Sequence, residues 1–197
     1  MSNVIFTYNE ESALAAGQGG FINESGAYVI TITEAELKQN TDNQARFIEF
    51  SGEAEDGRKV QYLSICSVKK DGTPNNFGVN MINAMMGCIG VNALTQHMVS
   101  VSKFIAPEFT GKRIGLVLQK VLRSKKDGSD TYGMEIRIPF IADTRQTLQE
   151  RKDGLKPETV DKILSTLKDR DNRNKSTVSQ HPPVYDEHDD DDIDFNL

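Results

Sequence analysis

Residues 46–89 read RFIEFSGEAEDGRKVQYLSICSVKKDGTPNNFGVNMINAMMGCI, and the fold turns on them. Phe47, Ile48 and Phe50 mark an extended run over 46–53, and Val60, Tyr62, Leu63 and Ile65 mark another over 59–68. Between them, Glu55-Asp56-Gly57-Arg58 is a hairpin signal, since Asp-Gly readily takes the left-handed conformation of a tight turn. Strict alternation puts Lys59, Gln61, Leu63, Ile65 and Lys69 on one face of the second run. Arg58, Val60, Tyr62, Ser64 and Cys66 fall on the other. Phe47 and Phe50 point to opposite faces, so at least one belongs to the core. After the basic turn Lys69-Lys70-Asp71-Gly72-Thr73-Pro74, the period changes. Val79, Ile82, Met86 and Ile89 recur at helical spacing, which predicts a helix over 79–89 with its methionines as core filling.

Working outward, residues 27–33 form a further β-run around Val29 and Ile30, behind an arm that ends in Gly17-Gln18-Gly19-Gly20. No Lys-Ser or Lys-Thr follows those glycines, so they are not read as a phosphate loop. Residues 91–111 give no clear pattern. Residues 112–123 carry apolar side chains on both faces and read as a central strand. Ser124–Asp130 is a basic hairpin loop, and 132–140 alternates as a half-buried strand. Asp143 is the expected cap of a short helix containing Leu148, and a second helix is expected from Pro157 with Val160, Ile163, Leu164 and Leu167 inward. From Asp169 the hydrophobic pattern stops and disorder is expected. The organisation is therefore an arm (1–20), a β-rich domain (21–142), a helical extension (143–168) and an acidic tail (169–197). The class is mainly β with α, and the order β-β-β-α-β-β is that of a five-stranded OB-fold-like barrel, with the helix between strands three and four.

The chain has 197 residues, 37% hydrophobic and 26% charged, with no apolar run long enough for a membrane span and no secretory leader at its start. Two cysteines, Cys66 and Cys88, make no disulfide framework and suit a cytoplasmic setting. The net charge of −6 hides segregation: −8 over 1–57, +9 over 58–126, zero over 127–185 and −7 over 186–197. The basic block is either a footprint for a polyanion or a solvated face matched by the acidic start of the chain. No catalytic constellation stands out. His97, His181 and His188 are scattered, Cys-x-x-Cys and His-Glu-x-x-His are missing, and Glu49, Glu53 and Glu135 read as surface strand positions. Neither enzyme activity, cofactor nor metal is expected.

The last twelve residues end in Ile193, Phe195 and Leu197 among carboxylates, a composition suited to an apolar pocket ringed by cations. Asp190-Asp191-Asp192-Ile193-Asp194-Phe195 resembles the acidic tip of bacterial and phage single-stranded DNA-binding proteins, which ends Asp-Asp-Asp-Ile-Pro-Phe. Asp194 replaces the proline, and Asn196-Leu197 extend past the phenylalanine. In that family the terminal carboxylate beside the phenylalanine takes part in docking; here Asp194 or the Leu197 carboxylate would take that part. The partner-binding tail is thus Asp189, Asp190, Asp191, Asp192, Ile193, Asp194, Phe195 and Leu197. The segments 21–28, 61–65 and 79–86 also resemble the phage-encoded members of the class, across roughly 20–140. The resemblance implies an OB-fold, single-stranded DNA binding with little sequence preference, a role in phage replication or recombination in the host cytoplasm, and recruitment of replication or recombination proteins by the tail.

Such binding requires cations for phosphates and aromatic faces for bases. The candidates are Arg58, Lys59, Lys69, Lys70, Lys112, Arg113, Lys120, Arg123, Lys125 and Lys126, with Tyr62, Tyr132 and Phe77 as stacking residues, each of which has burial as its other reading. Two other functions remain open: a strand-annealing accessory protein, often a ring-forming homo-oligomer, and an adaptor whose basic block binds an acidic protein.

Overall fold

The computed structural model describes residues 7–8 and 20–173. Most of the expected N-terminal arm, and the tail from residue 174 onward, lie outside the described residues. The chain is mainly β with some helices. In order come β1 (Gly26–Gln39), β2 (Arg46–Ala54), β3 (Lys59–Val68), α1 (Asn76–Ile89), β4 (His97–Ser100), β5 (Lys103–Ile105) and a 3-10 turn (Pro107–Phe109). Then follow β6 (Arg113–Ser124), β7 (Asp130–Phe140), α2 (Leu148–Asp153), α3 (Thr159–Thr166) and β8 (Arg170–Asp171). No helix among the described residues is long and apolar enough to cross a membrane.

The five runs read from the sequence are β1, β2, β3, β6 and β7, but the sheet has eight strands and is not closed. All its ladders are antiparallel except that of β8, which runs parallel to β6. β1 is its spine. One edge pairs with β2 from Ile30 to Gln39; the other pairs with β6 over Gly26–Thr31 and with β5 at Glu36–Leu37. A register shift between Ile32 and Glu34 inserts Thr33 as an extra residue, so Ile30, Ile32 and Ala35 all face the core despite their uneven spacing. β4 and β5 fill the patternless stretch 91–111. All four residues of β4 are exposed, so this hairpin gave no hydrophobic alternation to read.

The main core lies under the curved sheet and is capped by α1, whose Met81, Ile82, Met85 and Cys88 are buried. Asn75 caps α1 by accepting from the Gly78 backbone N–H, and Gly90 ends it at φ 70°. Gly78 lets α1 lie against β3; a Cβ there would sit 1.7 Å from the Cys66 carbonyl oxygen. Phe50 and Phe109 meet edge to face in this core, centroids 5.0 Å apart, a contact worth about 0.5–1.5 kcal/mol beyond its area. Phe47 is buried as well, in a small cluster with Ala45 and Cys66. β6 is covered on both faces, as its sequence suggests: Ile114, Leu116 and Leu118 face the main core, while Val117 packs with Phe140 and Val160 of α3.

Four local expectations are corrected. Thr147, not Asp143, caps the helix containing Leu148, because Glu150 three residues on completes a reciprocal capping box. Helix α3 starts at Thr159 rather than Pro157, where the Glu150 carboxylate takes the backbone N–H groups of Glu158 and Thr159. The chain is not disordered from Asp169 as expected: Arg170–Asp171 forms β8 on β6, and Gln119 donates to the Lys168 carbonyl. That segment is polar because side-chain and ladder hydrogen bonds, not apolar burial, hold it. Finally, Val60, Leu63 and Ile65 are all core residues, so the faces of β3 do not alternate as expected. Phe50 pairs with Leu63 and Gly52 with Val60, which leaves Gln61 and Tyr62 as a bulge that resets the alternation.

Candidate nucleic-acid interface

β3 and β7 are the two sheet edges that approach each other, and no ladder joins them. Between them runs a cleft of two adjoining hollows, each about 200 Å³. Gln61, Tyr62 and Ser64 form one wall, and Tyr132, Gly133 and Met134 the other. Arg123 and Glu135 close one end, and Phe21 with Lys59 lines the other.

The bulge decides the character of this cleft. Tyr62 sits at φ 61°, the left-handed region that disfavours side chains with a Cβ, and the residue is 70% exposed. A non-glycine residue in that region costs about 1–3 kcal/mol, and exposure at this level returns little burial energy to offset it. Tyr132 opens the other wall at 40% exposure, with the Lys120 ammonium 5.2 Å from its ring centroid. Phe21 is 53% exposed and is held on the edge of β3, where the Ile22 N–H donates to the Lys59 carbonyl and the Lys59 N–H to the Gly20 carbonyl. Three exposed aromatic faces therefore line one groove that also holds Lys59 and Arg123. The Ser64 hydroxyl, in the same wall, is buried and has no hydrogen-bond partner among the described residues.

Glu135 corrects an expectation. It is not a surface position but 6% exposed, and each of its oxygens takes a guanidinium: Arg123 at 2.8 Å on Oε1 and Arg170 at 2.5 Å on Oε2. Burial of a carboxylate this deep requires such pairing. Gly133 enables it. Arg123 lies across β7 at that residue, where a Cβ would come within 3.3 Å of the guanidinium carbon.

Of the residues selected from the sequence, the fold gathers Lys59, Tyr62, Lys120, Arg123 and Tyr132 at this cleft, with Lys125 and Lys126 exposed in the adjoining β6–β7 loop. It separates the others. Arg58 pairs with Asp56 and lies over the Tyr28 ring at 5.2 Å. Hydrogen bonds from Arg58 hold the Asp56 carboxyl below its ordinary range. Arg113 pairs with Glu55 and Asp143, and Lys112 precedes it, at the far end of β6, about 33 Å along the strand from Arg123. Lys69 and Lys70 follow the far end of β3, and Phe77, 46% exposed on α1, is not among the residues that line the cleft. The tail residues Asp189–Leu197 lie outside the described residues. Sequence reasoning missed Phe21, Gln61 and Arg170. Phe21 reaches the cleft by pairing with a residue 38 positions away, and Arg170 reaches Glu135, at the end of the cleft, without lining the cleft itself; neither contact leaves a local signal.

Among the described residues, no three His, Cys, Asp or Glu side chains gather as metal ligands. No protein-family model matches this sequence, and no curated protein matches it.

Proposed function

We propose that the protein binds single-stranded DNA with little sequence preference, seating bases against Tyr62, Tyr132 and Phe21 and phosphates on the surrounding cations. The observation that carries this reading is Tyr62, an exposed aromatic ring kept in a strained left-handed conformation at the mouth of a basic cleft. Strain of this kind persists where function uses it, and stacking on an aromatic face is worth about 1–3 kcal/mol per base. An OB-like body suits the reading. Its supports are β1 shared between β2 and β6, the helix that follows β3, and the β3 and β7 edges that face each other. The acidic C-terminal residues then serve as a recruiting tail for replication or recombination proteins, in keeping with their resemblance to phage and bacterial tips.

The test is fluorescence anisotropy with an unstructured oligonucleotide of about 30 bases across a salt series, alongside the matching duplex. Tight single-strand binding that weakens with salt, with much weaker duplex binding, is expected. Equal affinity for duplex, or no binding at low salt, would overturn the reading.

A further inference from the structure

We propose that Arg123 and Arg170, held on the shared Glu135 carboxylate, form a phosphate-binding site that fixes the DNA backbone beside the aromatic cleft. This inference rests on the single-strand-binding reading above and adds to it a residue beyond the β-rich domain. The two guanidiniums reach the same carboxylate from different strands, Arg123 from β6 and Arg170 from β8, each on its own oxygen. Glu135 is buried, while the arginine side chains remain 39% and 34% exposed. One carboxylate cannot neutralise two guanidiniums, so the cluster keeps a net charge of +1 with open donors. Each arginine spends one terminal nitrogen on Glu135; the Nε of Arg170 is buried and has no acceptor among the described residues, so a phosphate would be met by the exposed part of the two side chains.

The arrangement fits a phosphodiester better than a purely structural ion pair. A single arginine would satisfy a buried carboxylate; the second adds a repulsive cation that is tolerated because Glu135 lies between the two. A planar guanidinium presents its donors as a fork that matches two oxygens of a phosphate, and Glu135 pre-orients both forks. Arg123 also lies over Gly133 and lines the same hollow as Tyr132, from the opposite face of β7, so the site places the phosphate of a nucleotide stacked on Tyr132 across the β7 edge from the ring. The shared chemistry is a phosphate oxyanion, whether it comes from a nucleic-acid backbone or from free phosphate.

The experiment follows the arginine Nε–H resonances of the whole protein by NMR while an unstructured oligonucleotide or inorganic phosphate is added, and in parallel measures the salt dependence of DNA binding for Arg170→Gln, Arg123→Gln and Lys162→Gln. The site predicts that the Arg123 and Arg170 signals shift with oligonucleotide at far lower concentration than with phosphate. Each arginine variant should lower the slope of log affinity against log salt by about 0.7, the value of one single-strand phosphate contact. Lys162, on the exposed face of α3 and paired with Glu158, reports the effect of one lost charge elsewhere and should leave the slope unchanged. Shifts with phosphate alone would overturn the assignment to DNA. Oligonucleotide binding by anisotropy with no shift at Arg170 would overturn this inference and leave the cleft reading standing. If Arg170→Gln fails to fold, the NMR titration of the unmodified protein still decides the question.

Discussion

The Lys120 ammonium lies 5.2 Å from the centroid of the Tyr132 ring, the two residues being diagonal neighbours across the β6–β7 ladder, where Lys120 pairs with Met134 and Tyr132 with Leu122. At a partly exposed site this contact is worth about 0.5–1 kcal/mol, and it holds a cation beside a ring still 40% exposed. Tyr132→Leu should therefore weaken single-strand binding by about 1–3 kcal/mol with little change in salt slope. Lys120→Gln should lower the slope by about 0.7. Anisotropy titrations at several salt concentrations separate the two effects; identical behaviour of both variants would mean that the pair acts only as a packing unit.

Tyr62→Gly removes an exposed ring and places glycine where the backbone already suits it. The expected result is a thermal midpoint equal to or above that of the wild type, together with a loss of about 1–3 kcal/mol in DNA affinity. A fall in both would identify Tyr62 as a stabilising residue and remove the observation on which the proposed function stands.

Glu150 is 5% exposed. Its carboxylate accepts from the backbone N–H groups of Thr147, Glu158 and Thr159 and from the Thr159 hydroxyl. Burial opposes its ionisation, but these hydrogen bonds outweigh burial and hold its pKa down to about 2, against an ordinary 4.5. A carboxyl depressed in this way contributes stability that is fully present above pH 4.5 and is lost as pH falls toward 2. Denaturant midpoints measured over that window should fall less for Glu150→Gln than for the wild type. At neutral pH, Glu150→Ala leaves buried donors unsatisfied and should cost about 2–3 kcal/mol, read by chemical denaturation.

Burial pushes the Cys88 thiol up to about 11, with Arg151 acting weakly in the opposite sense, and Cys66 is buried too. The Cys88 thiol offers no ready thiolate near pH 7, and burial shields Cys66 from reagents. Alkylation should label both cysteines in denaturant and neither in the folded protein over the same interval; labelling of Cys88 in the folded state would show that α1 opens locally.

Residues 186–197 carry seven acidic and no basic side chains, against a net charge of +9 over 58–126. Deletion of 186–197 should raise DNA affinity at low salt, with the difference shrinking as salt screens it. Equal affinities of the two chains throughout a salt series would show that the tail does not compete for the basic surface.

The sequence determined the strands β2, β3, β6 and β7 and the helix α1, because each buries enough apolar residues to mark a strand or a helix, even where the bulge in β3 interrupts the two-residue period. It also marked Tyr62, Tyr132, Lys120 and Arg123, whose residue types suit stacking and phosphate contact wherever the chain places them. Only the tertiary structure decided that these four share one cleft. Tyr62 faces outward because a bulge opposite Ser51 breaks the alternation of β3, and bulges follow from pairing between strands rather than from local composition. β4 and β8 stayed illegible since they are held by backbone ladders without buried apolar faces. Glu135 looked like a solvated strand position until Arg123 and Arg170, 12 and 35 residues away, were brought to its two oxygens. The Glu135 charge is buried only because its partners arrive through space, and that arrival is written in the fold, not in the residues next to it.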